Sequence, residues 1–287
     1  MGKKLAVVTM VYNEPEFLPI WCGYYGKQAG SEHCYIIDHG SDDGSTGKLV
    51  GFNVVKIPRS PKDNERRTRF VSQFCSALLE WYDVIINVDV DEIVVAEPDR
   101  FRNLQEYVDR EEREVINAIG FDLHHLPLLE GPLDLANPVF KQRKWVRLSS
   151  AMCKPVLTTR PLTWAPGFHS ANAPISFGQL YLFHLRYFDL ALGLERLRRT
   201  RSMEWFREDA GKHQRVQDSE FTSLMMSVAR LSRIEECSFL PEAKPIVDYI
   251  QGLLKSEKPL GVSPYNIDLT VSGDKLIEMP IKFGASL

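Results

Sequence analysis

Apolar runs and amphipathic stretches alternate along the first third of the chain. Leu5–Met10 (L-A-V-V-T-M) predicts a buried first strand, followed by the turn Tyr12-Asn13-Glu14-Pro15. From Glu16 to Gln28, Phe17, Ile20, Trp21 and Tyr24 recur at helical spacing, and Pro15 suits a first-turn position. Cys34–Ile37 reads as a second strand ending in Asp38, and His39–Ser45 as a loop dense in turn residues. Asn53–Ile57 is a third strand closed by Pro58. Asn64–Trp81 then places Phe70, Phe74, Ala77, Leu78 and Trp81 on one helical face, while Arg66, Arg67 and Arg69 crowd its first turns. A fourth strand, Val84–Glu92, reads V-I-I-N-V-D-V-D-E. It is apolar on both faces at its start, as in the middle of a parallel sheet, and acidic at its end.

The pattern loosens afterwards. Ala96-Glu97-Pro98 breaks the strand, Phe101–Glu114 predicts a charged surface helix, and Val115–Leu126 a further strand carrying Asp122, His124 and His125. Pro127–Pro138 is a loop, Val139–Thr159 mixes basic and apolar residues as edge strands or irregular chain do, and Pro161–Pro174 reads as a loop over a site. Leu180–Leu185 returns to strand character with His184 embedded in it. Leu190–Phe206 predicts a helix whose outer face holds Arg196, Arg198, Arg199 and Arg201. Strands alternating with helices over short links specify right-handed crossovers and a mostly parallel central sheet flanked by helices, an α/β fold. The predicted domain spans 1–235, in two halves at about 1–98 and about 99–235; 236–287 is expected as a helical extension packed on it.

Composition narrows the possibilities. A chain of 287 residues, 44% hydrophobic and 25% charged, buries a sizeable core. A net charge of -3 argues against a general nucleic-acid binder. Five scattered cysteines without C-x-x-C pairing suggest neither a disulfide framework nor a zinc ribbon, and fit reduced thiols in a cytoplasmic protein. No stretch approaches the roughly 20 apolar residues of a membrane helix, so any membrane contact is expected to be peripheral, through the Arg196–Arg201 helix.

The chemistry is concentrated at strand ends. In a parallel sheet the Val11–Glu14 turn, the Asp38 strand end and the Asp89-Val90-Asp91 strand end meet along one edge, where open α/β sheets hold nucleotides. Asp89, Asp91 and Glu92 are hard oxygen donors that repel one another unless a cation lies between them, which points to Mg²⁺ or Mn²⁺ shared with substrate phosphates. Glu14 and Asp38 are candidate nucleotide contacts, and Arg66 and Arg67, at the start of the helix, are expected to face a diphosphate.

The segments V-V-T-M-V-Y-N-E, Y-I-I-D-H-G-S-D-D-G-S and N-V-D-V-D-E, followed by Gly167-Phe168-His169 and Leu182-Phe183-His184-Leu185-Arg186-Tyr187, together resemble a family 2-like glycosyltransferase with the GT-A fold, of the D-x-D-E subgroup. The resemblance covers roughly Leu5 to Asp189. It implies a UDP-sugar donor, Mn²⁺ or Mg²⁺ held by Asp89, Asp91 and His184, contacts to the nucleotide-sugar from Val11, Asn13, Glu14, Asp38, Arg66, Arg67, Asp89 and His169, and a glycan or lipid-linked acceptor. An inverting hexosyltransferase also needs a base beside the acceptor hydroxyl. Asp122, near the end of the next strand, is the candidate, with Glu130 and Asp218 as alternatives. The x-E-D and Q-x-x-R-W signatures of many family 2 members are not evident. Two other readings compete. A D-x-D phosphatase or phosphotransferase expects its motif on the first strand rather than the fourth, and a non-catalytic nucleotide- or carbohydrate-binding relative would not need all the acids.

Overall fold

The computed structural model describes residues 2–260 and 263–284. Its first half follows the alternation of the sequence: β1 (Leu5–Val11), α1 (Phe17–Ala29), β2 (Cys34–Asp38), β3 (Asn53–Lys56), α2 (Asn64–Leu78) and β4 (Val84–Asn87). The strands lie side by side in the order β3-β2-β1-β4, all parallel. β1 is flanked by partners on both edges and is almost wholly buried, as its unbroken apolar run requires. α2 begins where the carboxylate of Asp63 accepts from the amides of Glu65 and Arg66, which fixes the arginine-rich turn at the end of the sheet.

The acidic stretch is not one strand, contrary to the sequence reading. β4 stops at Asn87, Val88–Asp91 turn, and β5 (Glu92–Ala96) leaves to pair antiparallel with β9 (Phe177–Tyr187). The turn is closed twice: the Glu92 amide donates to the Asp89 carbonyl at 3.0 Å, and the Asp89 amide donates to the Glu92 carboxylate at 2.9 Å. The far edge of β5 has no strand beside it. Tyr25 of α1 instead donates its hydroxyl to the Glu92 carbonyl and accepts from the Val94 amide, and Tyr24 donates to the Val94 carbonyl.

After α3 (Leu104–Arg110), shorter than predicted because Asn103 caps its start and the backbone turns extended at Glu111, the sheet becomes mixed. β6 (Val115–His124) runs parallel to β9 along one edge. Its other edge takes β8 (Pro155–Thr158) at the start and, beyond the short helix α4 (Val139–Gln142), β7 (Trp145–Leu148) at the end, both antiparallel. β8 is therefore no edge strand. It bridges β4 and β6 and joins the parallel quartet to the rest of the sheet. α5 (Leu190–Ser202), capped by Asp189, and α6 (Asp218–Ala229) pack beyond β9.

The C-terminal part does not form a helical extension laid on the outside. After β10 (Arg233–Ile234), α7 (Ile246–Lys255) and a small hairpin of β11 (Lys258–Leu260) and β12 (Ser263–Asn266), β13 (Leu276–Glu278) pairs with β7 and extends the main sheet. Phe239 stacks on Phe121 at 4.9 Å, and Phe283 of α8 (Ile281–Gly284) meets Tyr181 edge-on at 5.1 Å, both inside the core. All five cysteines are free. Among the described residues no helix is long and apolar enough to cross a membrane.

β6 approaches the turn before β8 so closely that a Cβ at Gly120 would lie 2.3 Å from the Met152 carbonyl carbon and 2.6 Å from the Cys153 nitrogen. Backbone cannot yield as a flexible side chain can. Gly120→Ala should lower the unfolding free energy by about 1–3 kcal/mol or more, measured by urea denaturation. Gly23→Ala in α1, where nothing lies within 4 Å, should not. Equal midpoints for Gly120→Ala and wild type would refute the close contact.

Candidate active site

The turn after β4 builds the floor of the site. Val88 and Val90 point into the core, which leaves Asp89 and Asp91 on the opposite side, at the carboxyl end of the parallel quartet. Behind them Glu92 is buried. Lys154, equally buried on the chain entering β8, places its ammonium 2.6 Å from Glu92 and 3.6 Å from Asp89. Burial pushes the Lys154 pKa down, but the Glu92 and Asp89 charges more than offset this and it stands above the ordinary lysine value. On the other side of Asp89, Arg67 of α2 donates at 2.5 Å. Burial would raise the Asp89 carboxyl, yet Arg67 and Lys154 hold it at about 2.

Asp91 faces β9. Its carboxylate lies 3.2 Å from His184 Nε2, and His184 Nδ1 lies 2.7 Å from Asp122 on β6. The strand register brings these residues together, since β6 and β9 pair Asp122 with His184, and β5 and β9 pair Glu92 with His184. Burial lowers the His184 pKa, but the two carboxylates outweigh it and raise it to about 9. Arg196, from the second turn of α5, reaches back to Asp91 and grips Glu14 at the end of β1, with Nη2 2.7 Å from Oε1. Burial keeps the Glu14 carboxyl above its usual range despite Arg196, and Glu14 Oε2 is buried with no partner.

Above this floor opens a cleft of about 840 Å³. At the β1–β3 end its wall carries Val11, Tyr12, His39, Ile57, Arg59 and Phe70, and the Arg59 guanidinium stacks on the Tyr12 ring at 3.5 Å. Arg66 and Arg69 line it without a carboxylate partner among the described residues. On the opposite wall the 161–174 loop delivers His169, as a loop over a site should. Gly167 and Phe168 both adopt positive φ to turn it inward. His169 Nδ1 donates to the Ala151 carbonyl at 2.7 Å, leaving Nε2 as an acceptor. Burial and Lys154 depress its pKa to about 4, so the ring is neutral at physiological pH.

Of the expected site residues, Val11, Glu14, Arg66, Arg67, Asp89, Asp91, Asp122, His169 and His184 line this one cleft. Asn13 and Asp38 do not; they build the loop beside it. Asp38 is buried, accepting from the Ser41 amide and the Thr46 hydroxyl, and Asn13 clasps Asp42 in both directions. Asp122 is not a free base, because its carboxylate is engaged by His184. Glu130 accepts from the Leu126 amide and Asp218 pairs with Arg198 and Arg201, and neither lines the cleft. Nor is the arginine helix a free basic face: Arg196 pairs with Glu14 and Asp91, Arg199 with Glu16, and the other two with Asp218. Sequence reasoning missed Lys154 and the inward role of Arg196. Neither carries a local signal, since each is one basic residue among several nearby.

Among the described residues no three His, Cys, Asp or Glu side chains are gathered closely enough to hold an ion by themselves. Asp91 and His184 would fit a divalent cation that takes its other ligands from phosphate and water once the ion displaced Arg196 from Asp91 and the Nε2 proton from His184, both of which face that carboxylate here. An imidazole whose second nitrogen is held by a carboxylate, as Asp122 holds His184, is the usual arrangement behind a metal-bound histidine. Asp89, expected as a third ligand, is taken up by Arg67 and Lys154.

No protein-family model and no curated protein matches the chain. Among solved structures it is similar to the mannosyltransferase PcManGT from Pyrobaculum calidifontis in complex with GDP-Man and Mn²⁺, at 12% identity over 48% of this chain and 39% of that one, with a TM-score of 0.30. A mycobacterial protein matches at 16% identity over 58% of both chains, TM-score 0.34. Glucosyl-3-phosphoglycerate synthase from Mycobacterium tuberculosis in complex with Mg²⁺ and UDP matches at 16% identity over 64% of this chain and 72% of that one, TM-score 0.34. The chain thus spans 39% and 58% of the length of the first two of these structures. These are partial likenesses, and the reading of the site rests on this chain's own side chains.

Two outcomes follow from the charges. Lys154→Ala strands buried Glu92 without its partner and should lower stability by about 3–5 kcal/mol, whereas Lys154→Met combined with Glu92→Leu should recover most of the loss, both read by urea midpoints. A loss below about 1 kcal/mol for the single variant would contradict the buried pairing. His184, raised to about 9 from an unfolded value near 6.5, contributes stability that is complete below the unfolded value and disappears as pH climbs through 9. In EDTA, the stability difference between wild type and His184→Gln should therefore shrink by a few kcal/mol between pH 6 and pH 10. A difference independent of pH would show that the ring is not held as a cation.

Proposed function

We propose that this protein is a metal-dependent glycosyltransferase, inverting and of the hexosyl class, that moves a sugar from a nucleotide-sugar donor of the UDP type to a hydroxyl acceptor. The observation that carries this reading is the chain Asp122–His184–Asp91 at the floor of a cleft whose β1–β3 wall combines an aromatic, apolar surface with arginines lacking carboxylate partners. A nucleobase is suited by the surface of Val11, Tyr12, Ile57 and Phe70, and a diphosphate by Arg59 and Arg66 beside it.

Mn²⁺ or Mg²⁺ at Asp91 and His184 would offset the negative charge of the departing nucleoside diphosphate. The chain's own residues orient the reactants. Asp122 fixes the orientation of the His184 ring through Nδ1, Arg67 and Lys154 fix Asp89 at the turn, and neutral His169 accepts from a sugar or acceptor hydroxyl through Nε2. Such preorganised charge is where most of a transferase's rate enhancement resides, because the developing leaving-group charge meets partners already in place. A phosphatase reading fits less well. It expects the D-x-D at the end of the first strand, and here the motif follows β4.

The reading is tested by thermal shift with UDP, GDP and CDP, each with and without Mn²⁺, on wild type and Asp91→Asn. One nucleotide at a hundred times its dissociation constant should add about 2.7 kcal/mol of stability only when the metal is present, and Asp91→Asn should abolish the gain. The absence of any metal-dependent nucleotide effect would sink the proposal.

A further inference from the structure

The cationic side chains around the cleft fall into two classes. Arg67, Lys154 and Arg196 each grip carboxylates of the floor. Lys62 and Arg186 line the same cleft, and among the described residues neither has a carboxylate within ion-pair distance. Both are held by the 203–217 segment that roofs the cleft. Arg186 donates to the His213 carbonyl at 3.0 Å, and the Lys62 ammonium donates to Gln214 Oε1 at 2.8 Å and lies 4.6 Å from the centre of the Trp205 ring. The backbone of Lys62 is stitched to that segment from both sides, through the Glu204 carbonyl and the Phe206 amide. His213 also lines the cleft and feels the charges of both Arg186 and Lys62. Three basic side chains thus line one end of the cleft with no carboxylate within ion-pair distance among the described residues: Lys62 and Arg186 are half-buried and spend donors on neutral acceptors, while His213 is more exposed and is shifted toward its neutral form by desolvation and by its two cationic neighbours.

Lys62 joins the two sides of the cleft: it feels the charges of Arg67, Arg196, Asp89 and Glu14 at the floor and is tied to the 203–217 segment. Arg186 follows His184 by two residues on β9, where the register against β6 shifts, and both side chains line the cleft on the β6–β9 side of the acidic floor. Lys62 faces it from the approach to α2. Arg59 and Arg66 already serve the β1–β3 side, and a divalent cation would balance the donor diphosphate, so the Lys62–Arg186–His213 group is surplus to the donor.

We propose that Lys62, Arg186 and His213 form an anion seat that receives a phosphate or carboxylate group of the acceptor, so that the transferase acts on a negatively charged acceptor. This rests on the transferase reading above. The same anionic chemistry is also found in the donor diphosphate, and the experiment separates the two sources.

Calorimetric titration of inorganic phosphate into protein saturated with Mg²⁺ and UDP, or the nucleoside diphosphate that stabilises it, should show binding. Lys62→Met and Arg186→Met should weaken phosphate roughly tenfold or more each while leaving the nucleotide affinity within about twofold, which also shows that the variants are folded. Arg186→Lys should retain part of the phosphate affinity. If phosphate competes with the nucleotide and both Met variants lose nucleotide instead, the seat belongs to the donor and the acceptor proposal is overturned. No phosphate binding to the saturated wild type, or binding unaffected by both variants, overturns the seat itself. If no nucleotide binds, the transferase reading has failed separately; phosphate binding to the ligand-free protein that both Met variants weaken would then keep the seat while removing its acceptor role.

Discussion

The structure depends on one buried cation. Lys154 stands where the strand that joins the two parts of the sheet meets the acidic turn, and its ammonium is the positive charge that allows Glu92 and Asp89 to sit together out of water. Removing two carboxylates and an ammonium from water is expensive, and their mutual attraction compensates only when geometry and further hydrogen bonds are good. Both conditions are met: Glu92 also fastens the turn by accepting from the Asp89 amide, and Asp89 receives Arg67. The turn geometry, the course of β5 and the direction in which Asp91 faces follow from that arrangement.

From this point outward, charge is organised in shells. The acids nearest the floor are neutralised by basic side chains contributed from α2, the approach to β8, β9 and α5, elements far apart in sequence. Among the described residues, Arg59, Lys62, Arg66, Arg69 and Arg186, which line the cleft farther out, have no carboxylate within ion-pair distance. A cleft with a balanced floor and cationic walls suits a polyanionic substrate: the floor is rigid before anything binds, and the walls gain partners only on binding.

Much of this was legible in the sequence. β1, α1, β2, β3 and α2 are marked by unbroken apolar runs or a clear helical face, and the parallel order follows from their alternation. The approach of Glu14 to the Asp89–Asp91 turn was readable because strand ends in such a sheet share an edge, whereas His184 was suggested only by the family resemblance. What was not readable depended on contacts distant in sequence. β8 is a short strand beginning with a proline, too brief to show a period, and nothing near Lys154 distinguishes it from the solvated lysines and arginines upstream. Arg196 is one of several arginines on its helix, and only the packing of α5 turns it inward. Asp38 misled for a different reason: a carboxylate before a turn-rich loop has local amide and hydroxyl donors to satisfy it, and these competed successfully with a ligand.

The covering of β5 by two tyrosines has a consequence for behaviour in solution. A strand with one open flank is a template for pairing with another chain, and proteins blunt such flanks with short strands, charges or covering elements. Here the flank is occupied by phenolic hydroxyls, which satisfy the Glu92 and Val94 backbone groups while presenting helix, not strand, to the outside. The ends of the main sheet are treated differently: β3 is four residues long and is closed by Pro58, and β10 has only two. Resistance to intermolecular β-pairing along β5 therefore depends on a pair of aromatic side chains in the first helix, so that loosening α1 would uncover an adhesive strand directly after the acidic turn.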